Sequence, residues 1–137
     1  MATRVLIVED ESLIAMLIED HLLEFGYEVE PAVATVKEAL ARIDRGGVDL
    51  ALLDVNLGGT MSFPVAEALR RRGIPFLFLT GYGRAGLPSE YADCLVLQKP
   101  FRRKDLEAHL QQLQDTRRSQ GASPSAEQGE SNTQGAP

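Results

Sequence analysis

Val48-Asp49-Leu50-Ala51-Leu52-Leu53-Asp54-Val55-Asn56-Leu57 is a nearly unbroken apolar run with an acidic side chain toward its far end. Bounded by Gly46-Gly47 upstream and Gly58-Gly59 downstream, it is too short for a typical buried helix and suits a strand covered on both faces. Asp54 would then stand at the strand's carboxyl edge, where open α/β sheets place their ligand sites. That position makes it a candidate for chemistry; a turn former or helix cap is the plain alternative on this stretch alone.

The flanking sequence repeats the pattern. Val5-Leu6-Ile7-Val8 predicts a buried strand that delivers Glu9-Asp10-Glu11 at its end, and Ile74-Pro75-Phe76-Leu77-Phe78-Leu79-Thr80 predicts another ending in a hydroxyl. Cys94 to Gln98 reads as the last strand, followed by Lys99-Pro100-Phe101. Tyr27-Glu28-Val29-Glu30 alternates like a half-exposed strand, and Pro31 marks it as an edge. Between these lie helical patterns. From Ser12 to Phe25, Leu13, Ile14, Leu17, Ile18, His21, Leu22 and Phe25 recur at helical spacing, with Gly26 as the stop. His21 reads as a packed or surface histidine. Thr35-Val36-Lys37-Glu38 is a capping box opening a helix through Arg45. Gly58 to Phe63 reads as a flexible loop leading to a helix with Pro64 in its first turn, which runs to Arg72 and stops at Gly73. A last helix runs from Arg103 to about Leu113.

Composition narrows the class. The chain has 137 residues, 44% of them hydrophobic, enough for one domain with a core. A net charge of −6 argues against a surface built to neutralise nucleic-acid phosphates or anionic lipid. Single Cys94 excludes an intramolecular disulfide and any multi-cysteine metal site, and its apolar neighbours suggest a buried thiol. No signal-peptide pattern or membrane-spanning stretch is evident, so a cytoplasmic protein with neither nucleic acid nor membrane as partner is expected. From Asp115 the sequence turns to Ser, Gly, Gln, Ala and Pro; residues 115–137 read as a disordered polar tail after a folded domain of residues 1–114.

Strands alternating with helices predict a doubly wound α/β domain around a five-stranded parallel sheet, with helices on both faces. All strand ends then share one edge, which gathers Glu9, Asp10, Asp54, Thr80 and Lys99. Carboxylates crowded into a partly dehydrated cleft repel, and a divalent cation or a raised pKa relieves them. Hard oxygen ligands without cysteine or clustered histidine point to Mg²⁺. Lys99 and Thr80 read as ligands for the oxygens of a phosphoryl group, with Asp54 as its nucleophile.

In this combination the chain resembles the receiver domain of two-component response regulators, over roughly residues 3 to 114. The resemblance implies a flavodoxin-like strand order of 2-1-3-4-5, and phosphoryl transfer to Asp54 from a phosphohistidine on a sensor histidine kinase or histidine phosphotransfer protein. It implies that Asp10, Asp54 and the Asn56 backbone carbonyl hold Mg²⁺, with Glu9 acting directly or through water. Lys99 and Thr80 would bind phosphoryl oxygens, Thr80 would move on activation, and the Lys99-Pro100 bond would be cis. Enzymatic activity is expected only in the Mg²⁺-dependent phosphorylation and dephosphorylation of the protein itself.

Departures from the pattern are specific. Val96 occupies the position where most receivers carry a switch Tyr or Phe. The glycine-rich segment Gly81 to Pro88 leaves room only for a shortened or disordered fourth helix. Phe78-Leu79-Thr80-Gly81-Tyr82 is similar to the FATGUY motif of a subgroup of stand-alone receivers, with Leu79 in place of its Ala. That likeness implies a phosphorelay component of an alphaproteobacterium, in stress signalling, rather than a transcription factor. Tyr82 is a candidate to replace the missing switch aromatic; a loop anchor is the alternative. Asn56 and Tyr82 are expected to tune hydrolysis of the acyl phosphate.

With no second folded domain in the sequence, the expected output is onward phosphotransfer or protein contact by a monomer. A haloacid-dehalogenase-type phosphatase would want an Asp where Asn56 stands. A Rossmann nucleotide binder would want glycines where Glu9-Asp10-Glu11 stand. The serious alternative is a protein-binding module on a receiver fold that works without phosphorylation.

Overall fold

Side chains alternate across a strand, so a strand buried on both faces feeds two separate cores. Val5 and Ile7, Leu50 and Leu52, and Leu77 and Leu79 share one face with Ile18, Leu22, Leu106 and Leu110. Leu6 and Val8, Ala51 and Leu53, and Phe76 and Phe78 share the other with Ala39, Ile43, Val65 and Leu69. Both cores are sealed by helices, and this is why the central strands read as continuous apolar runs.

The computed structural model describes residues 2–122. In chain order the elements are β1 (Arg4–Val8), α1 (Ser12–Glu24), β2 (Glu28–Val29), α2 (Val36–Asp44), β3 (Leu50–Asp54), β4 (Asn56–Leu57), β5 (Thr60–Met61), α3 (Phe63–Arg71), β6 (Phe76–Thr80), β7 (Leu95–Gln98) and α4 (Arg103–Ala122). The main sheet has five parallel strands in the order β2-β1-β3-β6-β7, the order 2-1-3-4-5 expected for its strands. Helices α1 and α4 cover one face, α2 and α3 the other. Among the described residues, no helix is long and apolar enough to cross a membrane.

Several local expectations change. The segment after Asp54 is not a flexible loop: β4 and β5 form an antiparallel hairpin, Asn56 against Met61 and Leu57 against Thr60. Gly58 and Gly59, both at positive φ, allow the two-residue turn that a side chain would strain. On α1 the buried residues are Ala15, Ile18 and Leu22. Leu13, expected in the apolar stripe, is 82% exposed, and Leu17, Met16 and Leu23 are exposed with it. The sheet covers a narrower arc of the helix than the leucines span, and the rest of the stripe faces outward.

Between β6 and β7 the fourth helix of the usual pattern is reduced to one 3₁₀ turn, Ser89–Tyr91. Arginines hold this connection together: Arg84 donates to the carbonyls of Ala92 and Cys94, and Arg70 from α3 donates to the Glu90 carbonyl. Cys94 is buried as expected but precedes β7. The last helix does not stop near Leu113; α4 continues to Ala122, through the first part of the segment read as a disordered tail. Helical backbone satisfies itself without apolar burial, and Gln114 to Thr3 and Arg117 to Asp49 tie this extension to the sheet's other end. The rest of that expected tail, 123–137, lies outside the described residues.

Candidate functional site

β1, β3 and β6 are parallel and in register, so their carboxyl ends reach one edge together. Glu9 follows β1, Asp54 ends β3, Thr80 ends β6 and Lys99 follows β7. Glu9, Asp54 and Thr80 are buried, and Asp10 is exposed. Glu9, Asp10 and Asp54 each present a carboxylate oxygen within 4.8 Å of the others. Lys99 Nζ pairs with two of them, 2.8 Å from Glu9 Oε1 and 2.9 Å from Asp54 Oδ2. Glu11, which sequence reasoning left without a role, lies 3.6 Å from the same ammonium. The Lys99-Pro100 bond is cis.

Charge crowding leaves a signature on Glu9. Burial, and then its contact with the Asp54 carboxylate, push its carboxyl from 4.5 up to about 7. Lys99 is raised as well: burial alone would lower it, but its close contacts with the carboxylates of Glu9 and Asp54 outweigh burial. One cation thus serves two buried anions. Glu9 Oε1, although close to Lys99, makes no well-directed hydrogen bond. An acid-rich pocket with an underused buried oxygen and only oxygen donors fits a hard divalent cation such as Mg²⁺.

The other predicted residues surround this group. Asn56 is placed by β4: its backbone N–H points to Asp54 Oδ1 at 3.4 Å, and its side-chain oxygen accepts the Gly59 N–H at 2.6 Å. Thr80 Oγ1 accepts the Tyr82 N–H at 3.0 Å, which leaves the hydroxyl proton free to be donated elsewhere. Tyr82 itself is 81% exposed. Val96, at the position of the absent switch aromatic, is half-buried. His21 stacks on Phe25 beside Glu24, away from the site, as a packed histidine.

Sequence reasoning missed the hairpin, although Gly-Gly between short extended segments is a hairpin signal. It also missed the cleft of about 380 Å³ beside Lys99, lined by Glu11, Ile14, Leu17, Lys99, Pro100 and Phe101. No local signal marks that cleft, because it joins α1 to the residues after β7.

Fold and edge together define a doubly wound α/β protein with a lysine-paired aspartate inside an acidic trio. The family model of the response regulator receiver domain matches residues 5–111, and the chain belongs to that family. It is 49% identical to SdrG from Sphingomonas melonis Fr1, whose solution structure it matches with a TM-score of 0.75 over 82% of this chain and 97% of that one. The receiver domain of PhyR from Erythrobacter litoralis is 27% identical, with a TM-score of 0.77 over 91% of this chain and 96% of that one. The transcriptional regulatory protein TcrA of Mycobacterium tuberculosis is 38% identical over 117 residues, 80% of this chain and 45% of TcrA. The chain spans about half the length of the curated relatives it matches.

Proposed function

We propose that the chain is a response regulator whose Asp54 accepts a phosphoryl group from a phosphohistidine of a sensor histidine kinase or phosphotransfer protein. The observation that carries this reading is Asp54 itself, buried at the strand edge, paired with Lys99 at 2.9 Å and crowded by Glu9 and Asp10. In the transfer, the phosphorus–nitrogen bond to the donor imidazole breaks and a phosphorus–oxygen bond to an Asp54 carboxylate oxygen forms. The imidazole leaves with the electron pair and takes up a proton.

The chain's own groups are placed for each part. Lys99 moves its charge from the Asp54 carboxylate to a phosphoryl oxygen as negative charge gathers there. Thr80 donates its free hydroxyl proton to another. Asp10 and Asp54 with the Asn56 carbonyl would hold Mg²⁺, and Glu9 would assist directly or through water. That ion supplies countercharge for the phosphoryl oxygens. Because the Tyr82 N–H is bonded to Thr80 Oγ1, displacement of Thr80 pulls on the peptide at the start of the β6–β7 connection. We assign the switch to Thr80 and Tyr82 on that ground.

A protein donor also has a surface to meet. Exposed Leu17 on α1 lines the cleft that reaches Lys99, and Leu13 and Met16 are exposed on the same helix, so apolar contact and phosphoryl acceptance share one rim. Phe78-Leu79-Thr80-Gly81-Tyr82, together with the likeness to SdrG, supports the stand-alone FATGUY-type subgroup, acting in the cytoplasm as a monomer through protein contact or onward transfer.

The test is amide NMR and mass spectrometry of wild type and Asp54→Ala, each with Mg²⁺ and beryllofluoride. The expected result is a Mg²⁺-dependent adduct on wild type alone, with shifts at Asp54, Thr80 and residues 81–94. A folded wild type that gives no adduct overturns the reading in favour of a binding module that works without phosphorylation.

A further inference from the structure

The β4–β5 hairpin has a definite phase relative to the acids. Two-residue loops with positive φ at both positions form the type I′ turn that matches the twist of paired strands. Gly58 at +62° and Gly59 at +97° meet that requirement. Leu57 and Thr60 close the turn as a hydrogen-bonded pair, so Asn56 and Met61 form the next, non-hydrogen-bonded pair. Val55 and Ser62 are bonded again, and the Ser62 N–H donating to the Val55 carbonyl at 2.9 Å fixes this phase.

In a non-hydrogen-bonded pair, the peptide groups of a residue turn away from the opposite strand. For Asn56 that direction is the acidic edge, since its N–H points to Asp54 Oδ1. The carbonyl of an extended residue lies on the same side as its N–H, so the Asn56 carbonyl opens toward the acids too. Two further contacts hold the arrangement. Asn56 Oδ1 accepts the Gly59 N–H and closes the turn from inside, and the turn passes so near the acids that a Cβ on Gly58 would lie 3.6 Å from Asp10 Oδ2.

We propose that the Gly58-Gly59 hairpin is the positioning element for the cation end of the phosphoacceptor site. Its register presents the Asn56 carbonyl toward Asp10 and Asp54, and the Asn56 side chain locks that register. The inference rests on the reading of this edge as a Mg²⁺ site. It assigns a purpose to the paired glycines that a mere connector would not need. Residue 59 is the informative place to intervene, because an added Cβ there meets nothing within 4 Å, and only its backbone conformation would be disturbed.

The experiment is calorimetric titration with Mg²⁺ alone, on wild type, Gly59→Val and Asn56→Ala, with amide NMR and thermal midpoints for each. Gly59→Val, which disfavours positive φ, is expected to weaken Mg²⁺ binding about tenfold, the scale of lost outer-shell support. Asn56→Ala keeps the backbone carbonyl and both glycines but loses the lock, and is expected to weaken binding several-fold. If Gly59→Val and Asn56→Ala bind Mg²⁺ as wild type does, even with lower thermal midpoints, the hairpin is only structural and the inference falls. If wild type itself binds no Mg²⁺, the metal reading falls with it. Should Gly59→Val not fold, Asn56→Ala decides alone.

Discussion

The two connections that leave the functional strands are built differently. After β3 the chain turns at once into a hairpin, held by backbone pairing and by a side chain bonded to its own turn. After β6 the chain runs through Gly81, Gly83 and Gly86 to a single 3₁₀ turn, held by Arg70 and Arg84 reaching to carbonyls. The first arrangement has one geometry, because pairing phase is all or none. The second depends on long, partly exposed side chains, which release at low cost. Asp54 thus sits beside a fixed frame and Thr80 beside a yielding one, a division that suits a site where one strand end holds the chemistry and another reports it.

Breaking the charge balance shared by both regions has the largest expected effect. Lys99→Ala leaves Glu9 and Asp54 facing each other without a cation, and unfolding by urea should show a loss of about 2 kcal/mol, below the full cost of a stripped buried pair because Lys99 is partly exposed. Asp54→Ala removes one of the two repelling acids and should leave stability unchanged or raised. If both variants lose stability alike, the pair is held by packing rather than by charge.

Next in size is Arg84→Ala. Losing its bonds to Ala92 and Cys94 should cost about 1 kcal/mol and speed amide exchange across residues 81–94. Mg²⁺ affinity should not move. The Gly59→Val variant should show the reverse, weakened Mg²⁺ binding with exchange across 81–94 unaltered. Equal effects of both variants on both readouts would abolish the distinction between the frames.

A smaller effect follows from pH. The folded Glu9 carboxyl titrates near 7 against 4.5 for an ordinary glutamate, so the folded state holds more protons between those values. Its contribution to stability is therefore complete below about pH 4.5 and lost as pH rises through about 7. In Mg²⁺-free buffer the urea midpoint should fall across that window, and Glu9→Gln should flatten the fall. An unchanged slope in Glu9→Gln would place the titration on another group.

Least of all should Tyr82→Ala affect stability: with the ring 81% exposed, the change should stay within about 0.5 kcal/mol. Its effect should instead appear in the lifetime of the acyl phosphate and in the NMR shifts that beryllofluoride induces. Unaltered values for both would remove Tyr82 from the switch.

Much of the fold was legible because continuous apolar runs ending in polar residues allow few arrangements. Leu50 to Leu53 is covered on both faces wherever it lies, and a parallel sheet then brings Glu9, Asp54, Thr80 and Lys99 to one edge. The site's residue types were therefore open to reading from order along the chain alone. The outward face of α1 was not, since Leu13 and Ile18 are both apolar at helical spacing and only the placement of the sheet separates exposed from buried. The length of α4 escaped for a similar reason: its last turns are tied by Thr3 and Asp49, which are remote in sequence.

Sequence by itself determined the sheet, the two-sided core and the set of groups at its carboxyl edge, because hydrophobic patterning and strand order act locally and permit one economical packing. Tertiary structure alone decided that Lys99 bridges Glu9 and Asp54, that the Asn56 peptide faces the acids, and that arginines replace a helix between β6 and β7. These depend on distances of a few ångströms between elements far apart in the chain, and no periodicity encodes such distances.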